Sequence, residues 1–525
     1  MVQASPSLLQ STVCTVLLIS LSVVTLPFTA SILVLSLLYS HSFCRQQSTD
    51  VEHRKTVLLT GARNVKCLIL ARAFHAAGHR VIVAEEPGWF ALNPTRFSRC
   101  VTSNVRLPDP ANSPRQYKRT LRFLVRSERV DMFIPCSSPS FTVEDAEAAR
   151  EMVLEDRWTG EAFIQDPIHV SQLHWKHEFI ALCDELRMLT PETHLVSSVD
   201  EAVATLHHPS RANKGIKFIT KSLVFDDRAR TDMTPLPLST VAKTAAHLRT
   251  LPLLISPKTQ YLLQQRLHGY EYCTHAAVRD GTLVAFVCCP SSDMLMRYVD
   301  VQSVHVAPDT DGIATKEHEA LRARERAVGE QAEEWTRTFL ARWKEKLARE
   351  AWGGAPLTGH FCIDFILDES GILYPIECNP RAHTAVAIFS GTPNLAAHYL
   401  GTASHCARPP ANVAPQSWIG QALPLSIASL LPKSIASAIH PLLASTSHRE
   451  HYATLSPQPS RSSVLSVLAD YLLVGMEEDP TFDIHDPVPF FVLLHLQWPW
   501  LLIRQLWAGK AWSRVNISTS RIWGA

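Results

Sequence analysis

The sequence predicts an α/β protein with an open parallel sheet near its start, a strand-rich later portion, and an apolar leading segment directed at a membrane. Three observations carry this. The first Lys, Arg, Asp or Glu is Arg45; residues 55–86 read strand, turn, helix, strand; and residues 359–385 read as a hairpin bearing two acids. The chain has 525 residues, enough for three or four domains of about 150 residues each. Lys plus Arg number 50 and Asp plus Glu 49, a net charge of +1. That balance excludes the electrostatic case for a nucleic-acid or acidic partner.

The apolar segment runs from Leu8 to Tyr39. About 20 apolar residues cross a bilayer as a helix, so a segment of this length must tilt, kink at Pro27 or turn back as a hairpin. A cleaved signal peptide is the alternative, but the run is too long for its apolar region and no basic stretch precedes it. Arg45, Arg54 and Lys55 follow the segment, and basic residues on that side place the main body in the cytosol. Residues 1–50 are therefore expected to be a membrane anchor. The 12 cysteines contain no CxxC pair, which suits reduced thiols in that compartment.

Behind it, Val57 to Leu59 form a buried β run, Leu68 to Ala77 carry a helical apolar face, Gly78 ends the helix, and Val81 to Ala84 make the next strand. This is a βαβ unit. Its turn holds Gly61 alone, short of the three glycines of a dinucleotide fingerprint, so no NAD site follows. Asp131 to Pro135 read as a further strand with a helix behind it. A helix over His174 to Arg187 comes next, then strands at Lys217 to Lys221, Tyr261 to Gln265 and Leu283 to Cys288. Residues 316–350 hold 17 charged side chains and no proline around a stripe of Val328, Trp335, Phe339 and Trp343, an amphipathic surface helix. The last 120 residues carry 12 of the 34 prolines, with Ser-rich spacers between Leu443 and Ser466. There Pro487 to Trp507 is apolar but interrupted by His495, Gln497, Pro499 and Arg504, groups that are costly in hydrocarbon. It is read as a docked or interfacial amphipathic helix.

The segment that carries chemistry is residues 359–385. Phe361 to Ile366 and Ile372 to Glu377 alternate as two strands about a turn at Asp368-Glu369-Ser370-Gly371. Asp364 lies on the first strand; Glu377 and Asn379, two apart, share a face at the end of the second. Two carboxylates and an amide oxygen make a hard site of the kind Mg²⁺ uses. Asp364 stands between Ile363 and Phe365, where an acid needs a partner to offset desolvation. Arg381 follows, a fork suited to phosphate or carboxylate.

Asp364, Glu377 thirteen residues on, and then Cys378-Asn379 resemble the metal motif of the ATP-grasp superfamily. Upstream, Lys176 in HWKHEFI and Lys221 in FITKS match the two lysines of that family, and Gln265 to Glu271 resembles its E-x-x-x-G-x-E hinge with Gln265 in place of the first Glu. Residues 376–389 (IECNPRAHTAVAIF) and the stretch at 486–502 resemble the branch of mycosporine-glycine synthase-like ligases and related proteins of fungal secondary metabolism. The resemblance implies an ATP-grasp fold at 171–405 preceded by a Rossmann-like domain at 51–170, with a C-terminal extension at 406–525. It implies Mg²⁺ (or Mn²⁺) on Asp364, Glu377 and Asn379, ATP phosphates on Lys176 and Lys221, adenine and ribose at Gln265 and Glu271, and ligation of an amine, such as an amino acid, to a carboxylate or cyclic enone through a phosphorylated intermediate. Arg381 would steady the intermediate. His383 is a proton acceptor in this reading and a hydrogen-bonded structural histidine in the other. A homodimer is compatible with it. The alternative is a membrane-tethered nucleotide-binding protein without catalysis. One departure is plain: the loop after Lys221, SLVFDDRARTD, has no glycine, leaving Arg228 and Arg230 to meet phosphate there.

Overall fold

A computed structural model of the chain describes residues 7–43, 54–136, 141–211, 215–223, 232–291, 297–303, 316–354, 356–392, 394–411, 413–430, 432, 463–473, 478–516 and 520–524. Arg228, Arg230 and most of the Ser-rich spacer lie outside the described residues.

Strands β1 (Thr56–Thr60), β2 (Arg80–Glu85), β3 (Ser103–Arg106), β4 (Met132–Pro135) and β5 (Glu161–Ala162) form one sheet in the order β3-β2-β1-β4-β5, every pairing parallel. The continuous apolar run of β1 follows from cover on both faces. Val57 and Leu59 pack with helix α2 (Val65–Ala76), while Leu58 joins Tyr117 and Leu121 of the helix Pro114–Ser127. Gly61 takes the turn between β1 and α2 at φ 71°, a left-handed conformation that favours glycine.

Two antiparallel sheets follow. The smaller joins β6 (Thr193–Val196), β8 (Tyr261–Gln265) and β7 (Phe218–Ser222) in that order. The larger runs β10 (Thr282–Pro290), β9 (Gly269–Arg279), β12 (Cys362–Asp368), β13 (Leu373–Asn379), with β11 (Gly359–His360) also on β9. The charged helix Lys316–Arg349 lays Val328, Phe339 and Trp343 on one face of this larger sheet. Its other face packs through Cys273, Ala277 and Val287 against α2 and the turn Thr384–Phe389. The parallel sheet and the larger antiparallel sheet thus share a core through α2.

Two expectations are corrected. The helix read over His174–Arg187 is two helices, Pro167–His174 and Lys176–Glu185, separated at Trp175, whose extended backbone (φ −84°, ψ 117°) closes the first and opens the second. Its amide donates back to Ser171 and its carbonyl accepts from Phe179. The leading segment neither turns back nor stops at Pro27: α1 (Leu8–Phe43) is one continuous helix. It is long and apolar enough to cross a bilayer by length and composition. The late apolar stretch is docked, as helices Val488–Val492 and Trp498–Trp507 joined by a π turn, and it packs on α1.

Candidate active site

The hairpin expectation holds at the level of register. Asp364 pairs with Glu377 and Cys362 with Asn379 across β12 and β13. Ile363 and Phe365 point into the apolar core, so alternation turns Asp364 to the opposite face. There Asn379 Nδ2 donates to Asp364 Oδ2 at 3.2 Å, while Asp364 Oδ1 is buried without a hydrogen-bond partner. Burial, then the charges of Glu377 and Glu271, push the Asp364 carboxyl well above the usual range. Burial pushes Glu377 upward as well, but Lys176 and then Lys221 outweigh it and hold that carboxyl well below the usual range. The two adjacent acids are thus pushed in opposite directions, Asp364 up and Glu377 down, as expected of carboxylates that share a site and titrate as a pair.

The lysines come from other elements. Lys176 opens the helix Lys176–Glu185 and is ion-paired with Glu377. Lys221, on β7 of the smaller sheet, donates from Nζ to Gln264 Oε1 at 2.6 Å. Burial and the neighbouring charge of Lys176 lower Lys221 to about 8, against the opposing pull of Glu377, Glu271 and Asp364. Glu271 lies on β9 two residues before Cys273, which is Asp364's partner across β9 and β12, and it accepts from Ser291 Oγ at 3.0 Å. Gln265 is turned away: its Oε1 accepts from the Glu192 amide at 3.1 Å. Consecutive residues of a strand face opposite sides, so Gln264 is the side chain that meets Lys221. The sequence offered two adjacent glutamines and no means of assigning their faces.

After β13 the chain turns sharply, with the Arg381 amide donating to the Asn379 carbonyl at 2.8 Å. The Arg381 guanidinium donates to Asn379 Oδ1 from Nη2, and its Nη1 is buried without a partner. Asn379 therefore stands between two orphaned groups of opposite character, a carboxylate oxygen and a guanidinium nitrogen. Each such group in a native interior is open to an ion, a ligand or an ordered water. His383 caps the turn Thr384–Phe389, its Nδ1 accepting from the Ala385 amide at 3.2 Å. Burial, then Lys66 and Arg381, lower it to about 3, which keeps the ring neutral at physiological pH. One residue not foreseen belongs here: Lys66, in the first turn of α2, is buried and donates from Nζ to the Ala382 carbonyl at 2.8 Å. A lysine inside the apolar run Val65 to Leu70 was its only signal.

Asp364, Glu377 and Asn379 fit a hard divalent cation: all offer oxygen, and one carboxylate oxygen is buried without a donor. Among the described residues, no group of three or more His, Cys, Asp or Glu is gathered for a metal; the set here has two carboxylates and an amide.

No family model matches the chain, and no curated protein matches it. Its shape is similar to solved structures. An L-amino acid ligase from Bacillus licheniformis shares 12% identity at a TM-score of 0.39, over 63% of this chain and 68% of that one. An ADP complex of an N5-carboxyaminoimidazole ribonucleotide synthetase shares 11% at 0.45, over 81% and 97%. A biotin carboxylase from Campylobacter jejuni with a bound ATP analogue shares 11% at 0.43, over 69% and 74%.

Proposed function

We propose that this chain is an ATP-dependent ligase of the ATP-grasp type, joining an amine to a small carboxylate or a cyclic enone. The observation that carries this is the convergence of Lys176, Lys221, Glu271, Asp364, Glu377, Asn379 and Arg381, drawn from one helix, four strands of two sheets and the turn after β13, on one site with orphaned groups of both signs. Residues so far apart in sequence, read from a motif of spacing alone, have no packing reason to meet. In this reading residues 51–170 form the Rossmann-like domain and 171–405 the nucleotide-binding domain.

Asp364, Glu377 and Asn379 would hold Mg²⁺ or Mn²⁺, which when bound would supply positive charge at the phosphates of the substrate ATP. Lys221 and Lys176 add charge from the other side, and Glu271 faces the ribose hydroxyls. Arg381 Nη1, unpartnered and buried, orients the oxygen of the acceptor that takes the phosphoryl group. The amine then displaces phosphate. Such chemistry is positioning and electrostatic stabilisation, and it requires no nucleophile from the chain. His383, neutral and with Nδ1 accepting from the Ala385 amide, carries its proton on Nε2 and has no lone pair free for an amine proton, so the amine must enter largely deprotonated or lose its proton to water. The membrane role of α1 and a cytosolic body belong to the same proposal.

The test is calorimetric titration of the full chain with Mg-ATP, followed by measurement of ADP release with pairs of amino acids and small carboxylates or enones. Saturable binding that is lost in Asp364→Asn, and ADP release that needs both an amine and an acceptor, are expected. Mg-ATP binding without amine-dependent turnover across the panel would favour the non-catalytic nucleotide binder; absence of binding overturns both.

A further inference from the structure

The helix α1 is polar on the wrong side for a surface helix. Its buried positions are Ser11, Cys14, Thr15, Leu18, Ser22, Thr25, Thr29, Ser36 and Ser40, which follow one another at helical spacing as one stripe. That stripe is bonded to the C-terminal elements along its whole length. Ser11 Oγ exchanges hydrogen bonds with the Trp512 backbone, accepting at 3.0 Å and donating at 3.1 Å, and Thr15 Oγ1 accepts from Trp512 Nε1 at 3.0 Å. Ser22 and Thr29 flank the two ring nitrogens of His495 at 3.0 and 2.6 Å. Ser40 donates to the Ile484 carbonyl at 3.3 Å. The large apolar side chains point outward: Val24 is 65% exposed and Leu35 64%.

From Ser11 to Ser40 the axis rises about 44 Å, against a hydrocarbon core about 30 Å thick. Both ends of this length touch the charged body. The hairpin that begins at Trp512 returns at Ser520, which bonds the Arg63 carbonyl. His485, whose ring lies 5.7 Å from that of Tyr39 at a tilt of 36°, precedes Asp486, which is paired with Arg72 of α2. A helix crossing the bilayer would carry one of these charged ends through hydrocarbon.

We infer that α1 does not cross the membrane: it lies in the plane of one leaflet, its Ser/Thr stripe on the body and its apolar side in lipid, and holds the enzyme flat on the bilayer. Lipid is the occupant that the surface selects. No charged residue occurs before Arg45, whereas a protein partner's rim would be met by charges. Burying hydroxyls inward while exposing Val and Leu is the polarity of a helix whose surroundings are less polar than its protein neighbour. Beside α1, the helix Trp498–Trp507 exposes Trp500 and Trp507, packed edge-to-face at 5.5 Å, residues that favour the headgroup level. Exposed Lys510 follows, suited to an anionic leaflet.

The experiment uses the full chain. Flotation with phosphatidylcholine vesicles, with and without phosphatidylserine, is expected for the native protein and lost in Val16→Glu/Val24→Glu/Leu35→Glu, whose melting transition stays cooperative; should the triple variant not fold, Val24→Glu alone is read instead and must float less. In a Cys44→Ser background, Ser7→Cys and Arg54→Cys, one before α1 and one between it and β1, are both expected to react with a membrane-impermeant maleimide added outside sealed vesicles. Protection of either end until detergent is added means that α1 spans, and overturns the inference. So does undiminished flotation of the charged variant, and so does a stable dimer in vesicle-free buffer that the same substitutions convert to monomer.

Discussion

The ammonium of Lys176 and the carboxylate of Glu377 form an ion pair that joins the first turn of a helix to the second strand of the acid-bearing hairpin. A lysine at a helix N-terminus sits at the positive end of the helix dipole and is locally unfavourable by about 0.3–1 kcal/mol. Its position is made favourable by Glu377, whose ionisation it enforces. Lys176→Met is therefore expected to leave two adjacent acids with only Lys221 and Arg381 for compensation. Mg-ATP affinity should fall by about 10-fold or more, equivalent to about 1.4 kcal/mol, while the apo protein's melting temperature changes little, since the pair is about one quarter exposed. Calorimetric titration beside a thermal melt checks this; a large melting shift with unchanged affinity would make the pair structural.

Lys221 links the site to pH. Its ammonium is lowered to about 8 by burial and by Lys176, against about 10.4 in an unfolded chain. Between those values the unfolded state binds more protons, so this lysine's contribution makes the apo protein more stable as pH rises from about 8 to about 10. Phosphate binding runs the other way, because it needs the charged form. Mg-ATP affinity is expected to decline as pH rises through about 8, and Lys221→Arg, whose guanidinium stays charged, should flatten that decline. Titrations at several pH values read both slopes; a flat profile for the native chain would remove Lys221 from the phosphates.

The acid hairpin was legible because its signals are local. The turn at Asp368 to Gly371 fixes register as far as Phe365 opposite Pro375, and a bulge between Asp364 and Phe365, which the sequence did not mark, then brings Asp364 opposite Glu377. The parallel sheet was legible through β1, an apolar run that only two-sided cover explains. Long-range features were not. β9 is central in its sheet and carries Thr274 and His275 inside an apolar run, so it has neither clean alternation nor a strand-like composition. Trp175 breaks a helix with no proline or glycine to mark it. Gln264 and Gln265 differ only in face. The docking of α1 on the C-terminal elements joins the two ends of the sequence, and hydroxyls spaced by three and four within an apolar run gave no hint of which partner would receive them.

Lys66 ties the first sheet's helix to the turn that carries Arg381. Its Nζ donates to the Ala382 carbonyl at 2.8 Å from a buried position, and burial followed by Arg381 lowers it to about 8. Lys66→Met keeps most of the volume and removes the donor. The Ala382 carbonyl then loses a charge-assisted bond, at a cost of about 1–3 kcal/mol, and the Arg381 guanidinium loses a like charge nearby. A lower melting temperature is expected, together with a fall in kcat larger than any rise in the KM for ATP, because the turn positions Arg381 rather than the nucleotide. Equal stability of the variant at neutral pH would show that the bond is not made in solution.

The contact between Thr15 and Trp512 tests whether α1 belongs to the folded body. Trp512 is buried, and its Nε1 donates to Thr15 Oγ1 at 3.0 Å while its backbone is held by Ser11. Thr15→Val preserves shape and strands a buried indole donor, which costs about 1–3 kcal/mol. Thr15→Ser retains the acceptor and should cost less. If α1 were a tether independent of the body, neither change would move the body's unfolding. Chemical denaturation in mild detergent, followed by tryptophan fluorescence, is expected to place the midpoint of Thr15→Val clearly below that of Thr15→Ser, with the slope unchanged, since the surface exposed on unfolding stays the same. Ordering the two variants separates loss of the hydrogen bond from loss of packing, because the serine lacks the methyl group that the valine keeps.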